Sequence, residues 1–487
     1  MPCIQFSGLE SLCRNGLLSN QAMLPHTPKF ESACRILATL RASGYEAYLA
    51  GGCVRDLLLG REPEDYDVAT SATPDVVLNL FPRTVSVGAH FGVVLVLAAP
   101  ESSSKESKGA ERPLTEVATF RSDGVYSDGR HPDEVRYTTS AKEDVQRRDF
   151  TINGLLLDAL RAADSVATPE ALRSAVIDHV GGMADLDAGV ICAIGQPDRR
   201  FEEDQLRLLR AVRFAARFGF SIEPATHAAI RRHASRIHTV SRERVRDELT
   251  KMLTEGHARR AFELLDETGL LVQVLPEVAA MKGVEQPPQF HPEGDVWIHT
   301  LLLLEQLQPG CPLTLAWGAL LHDVGKPPTF RRAERIRFDG HVEVGVAMGA
   351  EICRRFRFSN DETRQILALI QNHMRFADAT RMKASTLKRF FRLEDFDQHL
   401  ALHRMDCLAA SGNLDHWNFV RQRYETMPEE AVRPRPLLSG RELIAAGYTP
   451  GPRFKDMLGM VEDAQLEGVI ATPDEAMKLV RERFHLG

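Results

Sequence analysis

The sequence predicts an α+β fold in which a small mixed α/β head is followed by a long all-helical body. β-branched runs such as Val93–Leu97 occur in the first third of the chain. From about Pro169 onward such runs become rare, and apolar residues recur at helical spacing instead. The chain has 487 residues, enough for about two to four domains of ordinary size.

The elements of the head alternate between helix and strand. We predict a helix over 29–43, a strand over 45–50, a helix over 52–60, and strands over 93–97 and 114–120. Gly51 and Gly52 separate the first strand from the helix that follows it. The segment 98–113 holds four serines and no large apolar residue, so we interpret it as a solvated loop between two strands.

Changes of composition divide the chain into five predicted segments. Proline clusters over 276–292 and 433–436 mark two breaks in the helical body. The predicted segments are a flexible N-terminal extension over 1–27, the head over 28–168, a helical neck over 169–285, a histidine-containing helical domain over 286–412, and a helical tail over 413–487.

Composition excludes several classes of protein. Apolar residues make up 44% and charged residues 26%, which is the ordinary globular mix. No apolar run approaches the ~18–20 residues of a membrane helix, and residues 1–29 lack the pattern of a secretory signal. The eight cysteines form no CxxC pair, which argues against a disulfide framework or a cysteine zinc site. We therefore expect a soluble, cytoplasmic protein that does not contact membranes.

Charge is distributed unevenly. The net charge of −7 argues against a protein that coats nucleic acid without specificity. Residues 196–260, however, contain 15 Lys and Arg against 9 Asp and Glu. This excess is typical either of solvated helix faces or of a surface that faces phosphates, and both interpretations remain open on composition alone.

Two carboxylates follow the glycine turn. Gly52 opens a helix at a point where the backbone can approach a phosphate closely, with Arg55 facing the anion. Asp65 and Asp67 are two residues apart, so in an extended segment they point to the same face and can hold divalent ions together. Metal-assisted phosphoryl transfer needs this arrangement, although an isolated DxD is more often a surface turn.

The segment 203–217 supplies a further set of polar side chains. Asp204, Arg207 and Arg210 are spaced i, i+3 and i+6 and are expected to share one face of a helix. An Asp beside an Arg offers an acceptor and donors that can pair with the edge of a base. A surface ion pair would give the same spacing for any single pair of these residues.

Five ordered motifs together resemble one family. GGCVRDLLLGREPEDYDVATSATP (51–74) is similar to the signature of class II tRNA nucleotidyltransferases and bacterial poly(A) polymerases, members of the polymerase-β-like superfamily. The other matching segments are EVATFR at 116–121, YSDGRHP at 126–132, RRDFTING at 147–154 and EDQLRLLRAVRF at 203–214.

The resemblance implies a nucleotidyltransferase head. It implies that Asp65 and Asp67 are catalytic and hold Mg²⁺, with Glu116 as a third candidate acid. The residues it implies or favours for nucleotide binding are Gly52, Arg55, Arg148, Asp204, Arg207, Arg210 and Arg213. Among these, Asp204 and Arg207 would select the incoming CTP or ATP.

Histidines and aspartates recur on separate predicted helices of the body. Imidazole and carboxylate groups suit transition-metal ions, although a single His on an apolar helix is usually a core residue. The order H…HD…D resembles the HD-family metal-dependent phosphohydrolases, which implies an HD helical bundle. The implied ligands of a divalent transition metal are His299, His322, Asp323 and Asp406, with His341 and His373 available for a second ion or for phosphate.

We therefore expect template-independent addition of CCA to the 3′ end of tRNA from CTP and ATP, with no DNA partner. The alternatives within the class are a poly(A) polymerase and an enzyme that adds only part of CCA. The segment 85–94 is more similar to the tRNA enzymes than to the polymerases. From another class, the chain is either mainly an HD phosphohydrolase with an inert head or, with less support, an RNA-binding protein without activity. No oligomeric state follows from the sequence.

Overall fold

The computed structural model describes most of the chain. The described residues are 25, 27–86, 92–97, 113–123, 135–163, 168–289 and 291–485. Three predictions lie wholly or mainly outside these ranges: the N-terminal extension, the solvated loop over 98–113, and the loop motif at 126–132. They stay predictions.

The described chain contains 13 strands, which we number in chain order. They are β1 (Ala47–Ala50), β2 (Val68–Thr70), β3 (Thr84–Ser86), β4 (Val93–Leu97), β5 (Leu114–Thr119), β6 (Arg121–Asp123), β7 (Val135–Tyr137), β8 (Leu155–Leu157), β9 (Val176–Asp178), β10 (Val190–Ile191), β11 (Ser221–Ile222), β12 (Arg331–Arg332) and β13 (Ile336–Arg337).

The helices are numbered in the same way. In the first half they are α1 (Pro28–Ala42), α2 (Gly52–Leu58), α3 (Pro74–Leu80), α4 (Ala141–Gln146), α5 (Ala159–Ala163), α6 (Pro169–Ser174), α7 (Gly182–Ala188), α8 (Pro197–Glu203), α9 (Leu206–Phe218), α10 (Pro224–His233), α11 (Arg242–Thr254), α12 (Ala258–Glu267), α13 (Leu271–Val274) and α14 (Pro276–Ala279). In the second half they are α15 (Val296–Leu304), α16 (Leu313–Leu321), α17 (Lys326–Thr329), α18 (His341–Arg355), α19 (Asn360–Asn372), α20 (Ala384–Phe391), α21 (Phe396–Ala409), α22 (Asp415–Thr426), α23 (Glu429–Val432), α24 (Gly440–Ala445), α25 (Arg453–Glu467) and α26 (Pro473–Arg483).

The chain forms two compact units. The first comprises Met1–Glu248 with Leu264–Val274, and the second comprises Leu249–Glu263 with Leu275–Gly487. All strands of the large sheet belong to the first unit, whereas the second unit is helical apart from the short pair β12–β13. The predicted α+β class, a mixed head followed by a helical body, is therefore confirmed.

The first unit is built on a seven-stranded mixed sheet in the order β3-β4-β5-β2-β1-β8-β9. β2 and β5 run parallel, and the other neighbouring pairs are antiparallel. The edge strand β9 lies beyond residue 168, where the head was expected to end. A three-residue strand is too short to show an alternation of polar and apolar residues, which is why the sequence did not reveal it.

Local chemistry explains how α1 and α2 begin. The Thr27 side chain accepts a hydrogen bond from Phe30 N, and Pro28 occupies the first turn of α1. At the start of α2, Gly51 has a φ of 77°, a left-handed conformation that side chains other than glycine rarely adopt. Strand β1 is thereby turned directly into α2, as the glycine pair predicts.

The second unit has separate hydrophobic clusters. One surrounds Phe376, Phe390 and Phe396, and another lies in the tail around Leu443 and Val461. In the parts of the chain that the structure describes, no helix has both the length and the apolar character needed to cross a membrane.

Candidate active site and metal centre

Three carboxylates meet where β2 and β5 run parallel. Val68 is paired with Val117, so Asp67 and Glu116 each stand one residue before a paired position on neighbouring strands. Asp65 lies two residues before Asp67 in the chain, as predicted. The Asp65 side chain is 72% exposed and lies 3.1 Å from Lys29 Nζ. The sheet thus brings together the two predicted catalytic carboxylates and the third candidate, Glu116.

The electrostatics of Asp67 suit a cation-binding group. Burial and the nearby Glu116 carboxylate raise the pKa of Asp67 to about 6, with Arg148 acting in the opposite direction. As the pH falls through that value, Asp67 takes up a proton and loses the charge that would hold a cation. The donor set, carboxylate oxygens only, fits a hard divalent ion.

Arg148 lies against the glycine turn. A Cβ atom at Gly51 would be 2.7 Å from Arg148 Nη1, so only glycine leaves room for this guanidinium. Arg148 Nη2 donates to Asp144 Oδ2 at 3.2 Å, while its buried Nε has no hydrogen-bond partner within the described residues. The predicted nucleotide contact therefore stands beside the turn and beside Asp67, with one donor still unused.

A network of buried polar groups joins α9 to the glycine turn. Arg210 donates to Asp149 Oδ2 through Nε at 2.8 Å and Nη2 at 2.6 Å. Asp149 Oδ1 accepts from Asn153 Nδ2 at 3.0 Å, and Asn153 Oδ1 accepts from Arg55 Nη1 at 2.5 Å. Although burial acts to raise the pKa of Asp149, Arg210 and Asn153 hold it far below the usual range. The sequence analysis assigned no role to Asp149, although it lies inside the RRDFTING motif.

Arg55 and Arg213 are both buried in the structure. Arg55 is 4% exposed, and its guanidinium packs over the rings of Phe214 and Phe218. Its predicted contact with a bound anion stays a prediction. Arg213 is also buried, and its Nε donates to Glu248 Oε2 at 2.7 Å.

Asp204 does not share a helix face with Arg207 and Arg210, contrary to prediction. Helix α8 ends at Glu203 and α9 begins at Leu206, which leaves Asp204 extended between them with φ −146° and ψ 106°. Its Oδ1 accepts from Leu206 N at 3.0 Å, because a short carboxylate competes well for free N–H groups at a helix start. Its Oδ2 accepts from Arg244 Nη2 at 2.9 Å.

Arg207 remains on α9 and is held firmly. Its Nη1 donates to Glu203 Oε2 at 2.7 Å and its Nη2 to the Arg147 carbonyl at 3.1 Å. Asp204 and Arg207, the pair predicted to select the base, are therefore held in fixed positions by hydrogen bonds to neighbouring groups. Fixed polar groups of this kind can discriminate between bases.

Six predicted or candidate residues of the second unit lie in two adjoining groups of potential metal ligands. One group is His299, His322 and Asp406, and the other is Asp323, His341 and His373. Within each group, one nitrogen or oxygen atom per residue lies within 4.8 Å of the others.

Asp323 links the two groups. Its Oδ2 is 3.2 Å from His322 Nε2, and its Oδ1 is 3.7 Å from His373 Nε2. Although burial acts to raise the pKa of Asp323, His322 and Lys326 hold it well below the usual range. The carboxylate is therefore ionised and able to bind a cation.

Hydrogen bonds fix the tautomers of three of these histidines. The Nδ1 atoms of His322, His341 and His373 lie 2.7–2.9 Å from main-chain carbonyl oxygens, which can only accept. Each Nδ1 therefore carries a proton, which leaves Nε2 as the ligand atom of the neutral ring. The buried Nε2 atoms of His341 and His373 have no hydrogen-bond partner among the described residues, whereas those of His322 and His299 lie 3.2 Å from Asp323 Oδ2 and 3.1 Å from Asp406 Oδ1. Nitrogen atoms placed in this way among carboxylates fit a divalent transition metal.

Two further residues of the centre were missed by the sequence analysis. Glu293 Oε1 lies 2.7 Å from His299 Nδ1 and 2.9 Å from His291 Nδ1. A carboxylate on the far nitrogen of a ligand histidine orients the ring and strengthens it as a ligand. His291 and Glu293 lie in an irregular segment before α15, where no periodic signal marks them.

We expect Glu293→Gln to weaken metal binding by about 10- to 100-fold, because the substitution removes the charge that supports His299. Competition with a chelator, followed by elemental analysis, measures the dissociation constant. Glu305→Gln, which changes an exposed carboxylate outside the two ligand groups, is the matched control. Equal affinities in the two variants would show that Glu293 does not orient His299.

Comparison with known proteins gives three family matches. Residues 47–192 match the poly A polymerase head domain, and residues 295–410 match the HD domain. Residues 219–282 match a probable RNA and SrmB-binding site of polymerase A. The chain therefore joins a head domain of the poly A polymerase type to an HD domain.

Individual relatives identify the family more closely. A CCA-adding enzyme from Lactobacillus gasseri is 30% identical over 463 residues, which cover 92% of this chain and 96% of that enzyme. The chain belongs to the CCA-adding enzyme family, as the motifs predict. The CCA-adding enzyme of Geobacillus kaustophilus is 40% identical over 253 residues, and this match spans 52% of this chain and 56% of that enzyme.

A solved structure agrees with this family. The Bacillus stearothermophilus CCA-adding enzyme in complex with CTP has a TM-score of 0.68 and 27% identity, and the match covers 94% of this chain and 99% of that one. The shared architecture therefore extends over nearly the whole chain.

Proposed function

We propose that this protein adds CCA to the 3′ end of tRNA, using CTP and ATP and no nucleic-acid template. The observation that carries the proposal is the meeting of Asp65, Asp67 and Glu116 beside Arg148. Arg148 also contacts Asn153, which is linked through Asp149 to Arg210 of α9. Family membership supports the same reaction and the same partners. The compartment we propose is the cytoplasm.

In the proposed reaction, the terminal ribose hydroxyl of tRNA attacks the α-phosphate of the incoming nucleotide and pyrophosphate leaves. Asp65 and Asp67 would hold Mg²⁺, which when bound supplies charge neutralisation and activation of the hydroxyl. Arg148 binds the sugar-phosphate of the nucleotide beside the glycine turn. Asp204 and Arg207 pair with the base, and the fixed position of Arg210 keeps this helix in register with the turn.

A second activity is favoured by the two ligand groups of the second unit. The buried Nε2 atoms of His341 and His373 have no partner among the described residues, and each unpaired buried polar group costs about 1–3 kcal/mol. Together with His299, His322, Asp323 and Asp406 they make a ligand set that stability alone does not explain. We propose that these residues hold a divalent transition metal and hydrolyse phosphate esters. The metal would act as a Lewis acid on the phosphoryl oxygen.

The decisive experiment uses purified protein and tRNA that lacks its last three nucleotides. Labelled CTP and ATP are supplied separately and together, and the products are resolved at single-nucleotide length. Addition that stops after one CCA supports the proposal. A long tail made from ATP alone would indicate a poly(A) polymerase, and addition of A only to tRNA ending in CC would indicate a partial enzyme.

We expect Asp204→Ala to relax the choice of base more than it slows transfer. Leaving one buried polar group unpaired costs about 1–3 kcal/mol, which corresponds to about 5- to 150-fold in discrimination. Misincorporation of UMP and GMP, measured as ratios of kcat/KM, should rise within that range. Asp198→Ala is the matched control, because Asp198 also pairs with an arginine on the same unit but lies on α8. Unchanged ratios would exclude Asp204 from base selection.

A further inference from the structure

The short strand pair β12–β13 is an arginine-rich hairpin in the second unit. Arg331 pairs with Arg337, and Arg332 pairs with Ile336. Arg335 lies in the turn between the strands. All four arginines are exposed. Side chains directly opposite each other in an antiparallel pair share a face, so Arg331 and Arg337 stand side by side.

This placement opposes the stability of the hairpin. Like charges directly opposite each other destabilise a strand pair, and a two-stranded hairpin is marginal even without that cost. The charge of Arg332, on the other face, is compensated by Glu285, whose Oε2 lies 3.2 Å from Arg332 Nη1. Within the described ranges, Arg331, Arg335 and Arg337 have no carboxylate at ion-pair distance. Although Glu334 lies in the same turn, the three exposed cations are therefore available to an anion from outside the chain.

The hairpin is joined to the metal centre at both ends. The rings of Phe330 and Phe338, which flank the two strands, lie 6.0 Å apart. The Phe338 carbonyl accepts the hydrogen bond that sets the tautomer of His341. On the other side, α17 immediately precedes the hairpin, and Lys326 Nζ lies 2.7 Å from Asp323 Oδ2. The hairpin therefore begins and ends in residues that contact or support the ligand groups.

We propose that the 331–337 hairpin binds the phosphodiester backbone of an RNA strand beside the metal centre of the second unit. Small phosphorylated molecules are bound in concave sites that bury most of their surface. Exposed arginines spread along a hairpin instead suit successive phosphates of a polymer, whose binding is electrostatic and sensitive to salt. RNA is the polymer that the proposed function of the first unit already requires. In that respect this inference rests on the proposed function.

The test compares three full-length proteins in equilibrium binding to a fluorescein-labelled single-stranded RNA of about 12 nucleotides. They are the wild type, the triple variant R331Q/R335Q/R337Q, and the control R332Q, which changes the paired arginine of the opposite face. Binding is measured by anisotropy from about 50 to 200 mM salt, without nucleotides. Thermal unfolding of each protein shows whether the fold is retained.

We expect the triple variant to lose affinity by about tenfold or more at the lowest salt. The slope of log K against log salt should fall by about 2, because each contact to a single strand contributes about 0.7. R332Q should stay within about twofold of the wild type. Equal slopes in all three proteins would overturn the proposal. Because no transfer reaction is involved, failure of CCA addition leaves this result unaffected.

Discussion

We expect Asp67→Asn to lower nucleotide incorporation into tRNA by at least about 10³-fold. The substitution keeps the size of the side chain and removes one of the two negative charges assigned to Mg²⁺. A metal ion stabilises the transition state of such transfers by several kcal/mol, and each 1.36 kcal/mol is worth about tenfold in rate. Single-turnover incorporation of labelled CMP, with enzyme in excess over tRNA, measures the loss directly. Asp65→Asn should behave in the same way.

The loss should be confined to the chemical step. Binding of tRNA to Asp67→Asn should stay within about threefold of the wild type, because phosphate contacts elsewhere dominate affinity. Asp75→Asn, which changes an exposed carboxylate in the first turn of α3, is the matched control and should transfer at the normal rate. Incorporation by Asp67→Asn at close to the wild-type rate would show that the transfer site has been assigned wrongly.

We expect the double variant H322A/D323A to lose nearly all its bound transition metal, together with any phosphatase or phosphodiesterase activity. It removes one ligand from each group, and the one removed from the second group, Asp323, is also the carboxylate that links the two groups. Nucleotide addition should continue, because the carboxylates of the transfer site belong to the other unit. Elemental analysis of purified protein gives the metal content per chain, and the incorporation assay tests the other activity.

Two further variants distinguish loss of the metal ligands from loss of the folded structure. Removing Asp323 leaves Lys326 buried without its partner, which costs about 3–5 kcal/mol when a buried ion pair is broken. Asp406→Asn leaves that pair in place and should still lower the metal content. His399→Ala truncates an equally buried histidine outside both ligand groups and should keep it. Metal content that is the same in H322A/D323A and in the wild type would refute the ligand assignment.

Long elements of the head could be predicted from the sequence because their signals are local. The helix expected over 29–43 is observed at Pro28–Ala42, and the strand expected over 93–97 has those bounds. Apolar spacing and a β-branched run each depend on a few neighbouring residues. Strands of two or three residues, such as β9 and β12, carry no such period, and only pairing with another strand defines them.

The residues of the candidate sites could largely be predicted from the sequence, whereas the positions and contacts of their side chains could not. Family motifs pointed to Asp204 and Arg55, yet tertiary contacts decide that Asp204 accepts a hydrogen bond from Leu206 N before α9 and that Arg55 is buried. Glu293 could not be identified from the sequence, because its importance comes from a contact with His299 and not from a sequence pattern. Periodicity identifies which face of an element is buried, whereas hydrogen-bond partners depend on the whole fold.

The ion pair of Asp149 and Arg210 also limits how this chain can diverge. Replacing Arg210 alone leaves the buried Asp149 carboxylate without its cation, whereas replacing both by well-packed neutral side chains removes the two charges together. The two positions are 61 residues apart in the chain and lie in different motifs. Their evolutionary histories are therefore tied: a substitution tolerated at one site depends on what already occupies the other. Substitutions in α9 that change base preference must therefore either keep Arg210 or be accompanied by a change at Asp149.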